Sequence, residues 1–236
     1  MAKGDETIRQ DIYEELKEDL VSLSKSKYGT FFVQKLVKYG TKEQKLKVTR
    51  SFEGKVAELT RHKVANVVIE MAYNEVASAS QRSRFLQEFF GPEFRLCKEE
   101  ELRSAVDIVN KHPQKERGIR RALAENCNIL ISKGCYNQSI VHTVLYNYMQ
   151  LLSHIIHKKS LPDTEKREEL PKEAGELEKL PSVDFSSKAR KARGELIVQL
   201  RDVCVHILHS HDGARLAMNA LWHGSAKDRK GKLLSI

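Results

Sequence analysis

A chain of 236 residues with 40% apolar side chains can bury a core, but no apolar run in it approaches the ~18–20 residues that a membrane-spanning helix needs. Its formal charge of +9 favours a polyanionic partner, and the excess is concentrated: between Lys25 and Lys63, eleven basic side chains face only three acids, Glu43, Glu53 and Glu58. The polar start argues against a secretory signal, and the four cysteines (Cys97, Cys127, Cys135, Cys204), lacking C-x-x-C or zinc-ligand spacing, read as thiols of a reducing compartment.

From Thr7 onward, Ile8, Ile12, Leu16, Leu20 and Leu23 recur at helical spacing, and Thr7 and Gln10 have capping-box spacing at the start of that stripe. A second helix is expected over 30–39, stopped by Gly40, and a third over 42–52, stopped by Gly54, because glycine enters the left-handed conformation at little cost. Further helices are expected over 64–73, over 80–90 before Gly91-Pro92, over 99–110 before Pro113, over 116–131 and over 138–157. No alternating strands bounded by turns are found, so the fold class is all-α.

Four segments resemble one another: Tyr28-Gly-Thr-Phe-Phe-Val-Gln34, Val64-Ala-Asn-Val-Val-Ile-Glu70, Tyr136-Asn-Gln-Ser-Ile-Val-His142 and Asp212-Gly-Ala-Arg-Leu-Ala-Met218. Their second positions, Gly29, Ala65, Asn137 and Gly213, are spaced by 36, 72 and 76 residues. The double interval places a degenerate unit around 102–107, and the last interval contains about 40 additional residues. Those residues are visible as 160–187, an acidic stretch with Pro162, Pro171 and Pro181, read as a mobile inserted loop, followed by Lys188, Arg190, Lys191 and Arg193. The expected organisation is therefore repeats over 1–159, the insert, and a further repeat over 188–236, stacked as an α-solenoid. The end at Gly231-Lys-Leu-Leu-Ser-Ile236 lacks a polar capping helix and reads as a truncated array, whose open end is expected to favour dimerisation or instability.

A stack of short helices presents equivalent side chains at regular intervals, which suits a linear polymer such as single-stranded RNA. The segment Ser26-Lys-Tyr-Gly-Thr-Phe-Phe-Val-Gln-Lys-Leu-Val-Lys-Tyr-Gly40 resembles the second helix of a pumilio (PUF) repeat. The run from His209 to Lys230, with Arg50-Ser-Phe-Glu-Gly-Lys-Val, Arg61-His and Glu70-x-Ala-Tyr-Asn74, resembles the Puf-A/penguin nucleolar group of pumilio-repeat proteins. The resemblance covers most of 10–158 and 188–230. It implies an α-α superhelix in the nucleus and nucleolus that binds RNA, single- or double-stranded, and DNA with little sequence preference. Ribosome biogenesis, pre-rRNA processing or translational regulation, with ribosome-assembly factors as partners, is the implied setting.

Carried over by position, Thr30 and Gln34 would read a base edge with Phe31 stacking between bases. The later units depart from that pattern. Asn66 and Glu70 flank Val67, which stacks poorly; Gln138 and His142 flank Ser139, which cannot stack; Ala214 and Met218 flank Arg215 and offer no edge readout. With Lys27, Lys35, Lys38, Arg61, Lys63 and Lys133 completing the nucleic-acid-binding set, phosphate contacts are expected to dominate over base reading.

The histidine run Cys204-Val-His206-Ile-Leu-His209-Ser-His211 and the pair His154/His157 have no matching ligand set and read as structural, so no metal is expected. With no nucleophile motif and no glycine-rich phosphate loop, no catalytic residue and no cofactor are expected. Phe89, Phe90 and Trp222 sit among aliphatic residues and are expected in the core, whereas Phe31 is expected at the surface. The alternative function is a protein-interaction scaffold whose basic face meets acidic tails in a ribosome-assembly complex.

Overall fold

Short amphipathic helices cannot bury their apolar stripes alone, and here they do so against one another. A computed structural model describes residues 6–96, 102–158 and 185–230, and these contain helices and turns but no strand. The first unit joins α1 (Glu6–Leu16) and α2 (Leu20–Lys25) to α3 (Gly29–Tyr39). The second contains α4 (Lys42–Ser51), α5 (Val56–Thr60) and α6 (Asn66–Met71), and α6 runs into a π-helical turn at Ala72–Val76. Next come α7 (Ala79–Gln87), α8 (Glu93–Leu96) and α9 (Ala105–Lys111), then α10 (Glu116–Ser132) with α11 (Ser139–Lys158). The last unit has α12 (Phe185–Arg201), α13 (Cys204–Ile207), α14 (His211–His223) and α15 (Ala226–Lys230). Most of the expected insert at 160–187, the end of the chain beyond Lys230 and Cys97 lie outside the described residues.

Local chemistry sets several helix starts. Thr41 with Gln44, Ser78 with Gln81 and Ser104 with Asp107 each form a reciprocal capping box, satisfying amide protons that have no partner within the helix. At the first helix, Gln10 instead donates to Glu14 (2.8 Å) and accepts from Gln44 (2.8 Å), tying α1 to α4. Only the start of the apolar stripe expected there turns outward: Ile8 is 57% exposed and Ile12 is exposed while Tyr13 takes the core position, whereas Leu20 is buried and Leu23 packs against the core. Among the glycines expected as left-handed stops, Gly54 has φ +85° but Gly40 is extended, at φ −64°.

The resemblance among the four segments has a structural counterpart. They contribute α3, α6, α11 and α14, which stack side by side into one row. The degenerate unit is left out of the start of that row. Its helix α9 packs further along α11, where Asn147 Oδ1 accepts from Ala105 N (3.1 Å). The first turn of α11 therefore meets α6 and its π-helical extension directly: Ser139 N donates to Glu70 (2.8 Å), and the Tyr73 and Thr143 hydroxyls are 3.2 Å apart. α14 follows, with Thr143 donating to Asp212 Oδ2 (2.7 Å). Phe52, Phe85, Phe89, Phe90 and Phe94 fill the space between the row and the outer helices, and Cys127, Cys135 and Cys204 are buried free thiols.

The small residue in second position has a steric cause. A Cβ on Gly213 would collide with the backbone carbonyl of Ile207, since α13 turns back closely against the start of α14. Gly213→Ala should therefore lower the unfolding free energy by about 1–3 kcal/mol, as overpacking does. Gly194→Ala, in the interior of α12 with open space around it, should raise it by roughly 0.5–1 kcal/mol. Urea denaturation midpoints of the two variants, moving in opposite directions, check this.

Candidate nucleic-acid interface

On α3, Val33, Leu36 and Val37 turn inward, leaving Phe31, Lys35 and Lys38 on one outward stripe at helical spacing, with Lys27 exposed in the turn just before the helix. Phe31 is 60% exposed, as expected from the sequence. Two exposed tyrosines, Tyr28 and Tyr39, flank it. Lys27 Nζ lies 5.5 Å from the Tyr28 ring centroid, and Lys35 and Lys38 Nζ each lie 5.4 Å from that of Tyr39. A ring face steadies an ammonium without neutralising it. Lys27, Lys35, Lys38 and the exposed Lys63 have no acidic partner among the described residues. Other members of the basic cluster are engaged: Lys25 pairs with Glu58 (2.5 Å), Lys47 with Glu43 (2.8 Å), and Lys45 donates to the Lys38 carbonyl (2.9 Å). The geometry thus reduces eleven bases to a smaller group of available cations around an exposed aromatic ring. Lys–Tyr adjacency at 27–28 and 38–39 was the sequence signal for the two tyrosines.

Several expected base-edge residues face inward instead. Thr30 is 4% exposed, with its hydroxyl accepting from Gln34 Nε2 (3.4 Å), so Phe31 and the half-buried Gln34 are what the first unit presents. Glu70 accepts from Ser139 N and, at 2.7 Å, from Asn74 Nδ2, which makes it a cap on α11. Arg61 donates to Asn126 on α10, which in turn donates to the Phe89 carbonyl (2.7 Å), so this cation holds α5 to α10. Gln138 is buried, Asn66 is half-buried and Val67 is 48% exposed. Lys133 is exposed just past the end of α10. Arg215 is exposed on α14, with its guanidinium 4.9 Å from the Tyr146 ring centroid. Trp222 is not a core residue: it is 83% exposed, because no described helix covers that side of α14.

His142 is fully buried, and its two ring nitrogens join α11 to α14. Nε2 lies 2.6 Å from the Tyr136 carbonyl, an acceptor, so Nε2 carries the proton and Nδ1 accepts from Ser210 Oγ at 2.6 Å. Ser210 Oγ also accepts from Gly213 N (3.0 Å), capping α14. Burial, reinforced by the neighbouring His209 ring, holds the His142 pKa below its usual value, against the opposing pull of the Tyr136 carbonyl, Glu70 and Asp212. His209 packs edge-on against His142 and His206 lies against Tyr136, so the histidine run is part of the joint between two units.

No protein-family model matches the chain. Human Pumilio homolog 3 is 32% identical to it over 228 residues, 96% of this chain and 30% of that protein. Pumilio domain-containing protein 12 of Caenorhabditis elegans is 29% identical over 225 residues, 95% of this chain and 25% of that protein. The crystal structure of human Puf-A superimposes with a TM-score of 0.74 at 31% identity, covering 97% of this chain and 38% of that one. The structure of human Puf-A in complex with DNA gives a TM-score of 0.70 with the same identity and coverage. The chain spans 30% or less of the length of these two curated relatives.

Because His142 is held neutral in the fold, an unfolded chain, whose imidazole titrates near ~6.5, takes up the proton first as the pH falls. The stability present above that value should therefore decline progressively below it. Melting temperature should fall between pH 7.5 and 5.5, and His142→Gln should flatten that fall. A residual slope is expected from His154 and His223, whose pKa values burial also lowers.

Proposed function

The chain belongs to the pumilio-repeat family and is Puf-A-like, and from that premise we propose that it binds nucleic acid along its stacked row, gripping the phosphate backbone with little discrimination between sequences. The observation that carries this reading is the exposed face of α3 and the turn before it: Lys27, Lys35 and Lys38 stand unpaired around an exposed Phe31, with Lys63 nearby in sequence at the surface. Unpaired lysines release condensed counterions when they meet phosphates, and an exposed ring offers a base a sequence-independent face. The relative crystallised with DNA supports a partner of this chemical class. Weak discrimination follows from the engagement of Thr30, Glu70 and His142 in bonds within the protein.

RNA is the proposed principal ligand, single- or double-stranded, with DNA bound in the same mode. The proposed setting is the nucleus and nucleolus, in ribosome biogenesis and pre-rRNA processing or in translational regulation, with the chain acting by binding rather than by catalysis. A second reading, a scaffold for ribosome-assembly factors, draws on the exposed apolar residues Val198, Val205 and Leu208 on and beside α12 and α13. Association with such factors that survives nuclease treatment would favour it.

Titration of RNA oligonucleotides of several sequences at a series of salt concentrations tests the main reading. Affinity should fall with salt at a log–log slope near −0.7 per neutralised phosphate for single strands. Lys35→Glu, Lys38→Glu and Lys63→Glu combined should weaken every sequence alike, by about tenfold or more, and make the slope shallower by roughly 2. A flat salt response, or loss confined to some sequences, overturns it.

A further inference from the structure

Between α4 and α7 lies a groove of about 520 Å³, lined by Leu46, Arg50 and Glu53 on one side and by Ser80, Gln81 and Arg84 on the other. At one end Arg84 closes on Glu53, with Nε and Nη2 at 3.2 and 2.6 Å from the same carboxylate oxygen. Arg50 is exposed, and its guanidinium has no acidic or hydrogen-bonding partner among the described residues. The groove therefore holds one cation in surplus. Ser80 lines the same groove, exposed in the first turn of α7, and its hydroxyl has no hydrogen-bond partner among the described residues. The serines beside it are engaged: Ser78 Oγ accepts from Gln81 N (3.3 Å), and the buried Ser83 donates to the Leu102 carbonyl (3.1 Å). The backbone leading to Ser80 is extended at Ala77 (φ −63°, ψ 126°) and Ser78 (φ −65°, ψ 166°).

A hydroxyl free of internal bonds, at a helix end that frays and beside extended backbone, can enter the cleft of a protein kinase. Arg82, two residues further on, is exposed and offers a charge to a kinase whose substrate cleft is acidic. We propose that Ser80 is a phosphorylation site and that the groove is its phosphate receptor, gripped by Arg50. In the transfer, the Ser80 oxygen bonds to the terminal phosphorus of a nucleoside triphosphate. The bond from that phosphorus to the diphosphate leaving group breaks, and the hydroxyl proton passes to a base of the kinase. The phosphate carries a charge of about −1.5 to −2 at pH 7, and its oxygens match the planar guanidinium with paired charge-assisted hydrogen bonds. Glu53 does not oppose it, because Arg84 already neutralises that carboxylate. The product is a tie between α4 and α7, and so between the second and third units, made only in the modified chain. An acidic side chain of a partner, or an RNA phosphate, would have to be brought from solution and ordered over Arg50, whereas Ser80 holds its phosphate in the groove. The inference goes beyond the nucleic-acid-binding reading and does not depend on it.

The whole folded chain is incubated with protein kinases that prefer basic substrates and with adenosine triphosphate, and the modified serines are mapped by mass spectrometry. Phosphate on Ser80 is expected; its absence there, whatever other serines carry, overturns the modification site. Phosphoserine installed at Ser80 during translation then tests the receptor without a kinase. Its phosphorus NMR resonance should titrate at lower pH in the folded chain than in the urea-unfolded chain, because the Arg50 cation favours the dianion. Melting temperature should rise by about 2–4 °C over the unmodified chain. Arg50→Gln, at an exposed position, should leave melting of the unmodified chain unchanged and abolish both effects of the phosphate. Equal titration in folded and unfolded chains, with no change in melting, leaves the phosphate in solvent and overturns the receptor. If Arg50→Gln weakens RNA binding by the unmodified chain about fivefold or more and leaves the phosphorus titration unchanged, Arg50 belongs to the nucleic-acid interface, and the receptor is again overturned.

Discussion

Side-chain oxygens of one unit accept hydrogen bonds from the backbone of a neighbouring unit, and the stacked array depends on that exchange. Glu70 receives Ser139 N at the start of α11, and Asn147 receives Ala105 N at the start of α9. The buried Glu88 receives both Gly54 N (2.6 Å) and Val56 N (2.8 Å) at the turn between α4 and α5. The first amide protons of a helix have no partner within it, and leaving one buried and unsatisfied costs about 1–3 kcal/mol. Apolar stacking alone would tolerate sliding of one unit over another. Directional bonds from a carboxylate or amide to a particular amide proton hold the register, and with it the alignment of exposed side chains along the row.

The same exchange limits what the row can present. Thr30, Glu70 and His142 occupy positions from which a helical repeat could read a base, and each is bonded within the protein. What remains at the surface is charge and aromatic area: lysines resting on tyrosine rings at one end, and an arginine on a tyrosine beside an open indole at the other. Neither chemistry distinguishes one base from another with any sharpness, since phosphates are common to all sequences and every base has a stacking face. The proposed binding mode is thus the counterpart of how the units are joined.

Much of the helical architecture was legible because it is local. A period near 3.6 residues and turn residues at the ends required helices, and the recurrence at 36, 72 and 76 residues required a stack with one aberrant unit. The exposure of Phe31 was legible too, since α3 has apolar residues enough on its other side to define which face is buried. The helix of the aberrant unit is present, but its place beside the middle of α11, leaving α6 and the start of α11 in contact, follows from pairings such as Ala105 with Asn147 that no spacing rule contains.

The sequence by itself determined the all-α class, the repeat and the concentration of positive charge, because each is a property of neighbours along the chain. Only the tertiary structure decided which charged and polar residues are available. Arg61 meets Asn126, Glu70 meets Ser139 and His142 meets Ser210, partners 65, 69 and 68 residues away. The outward turn of Ile8 and Trp222 was equally hidden, for a helix stripe has the same spacing whether or not another helix lies against it. Burial is a relation between segments, and distance along the chain does not record it.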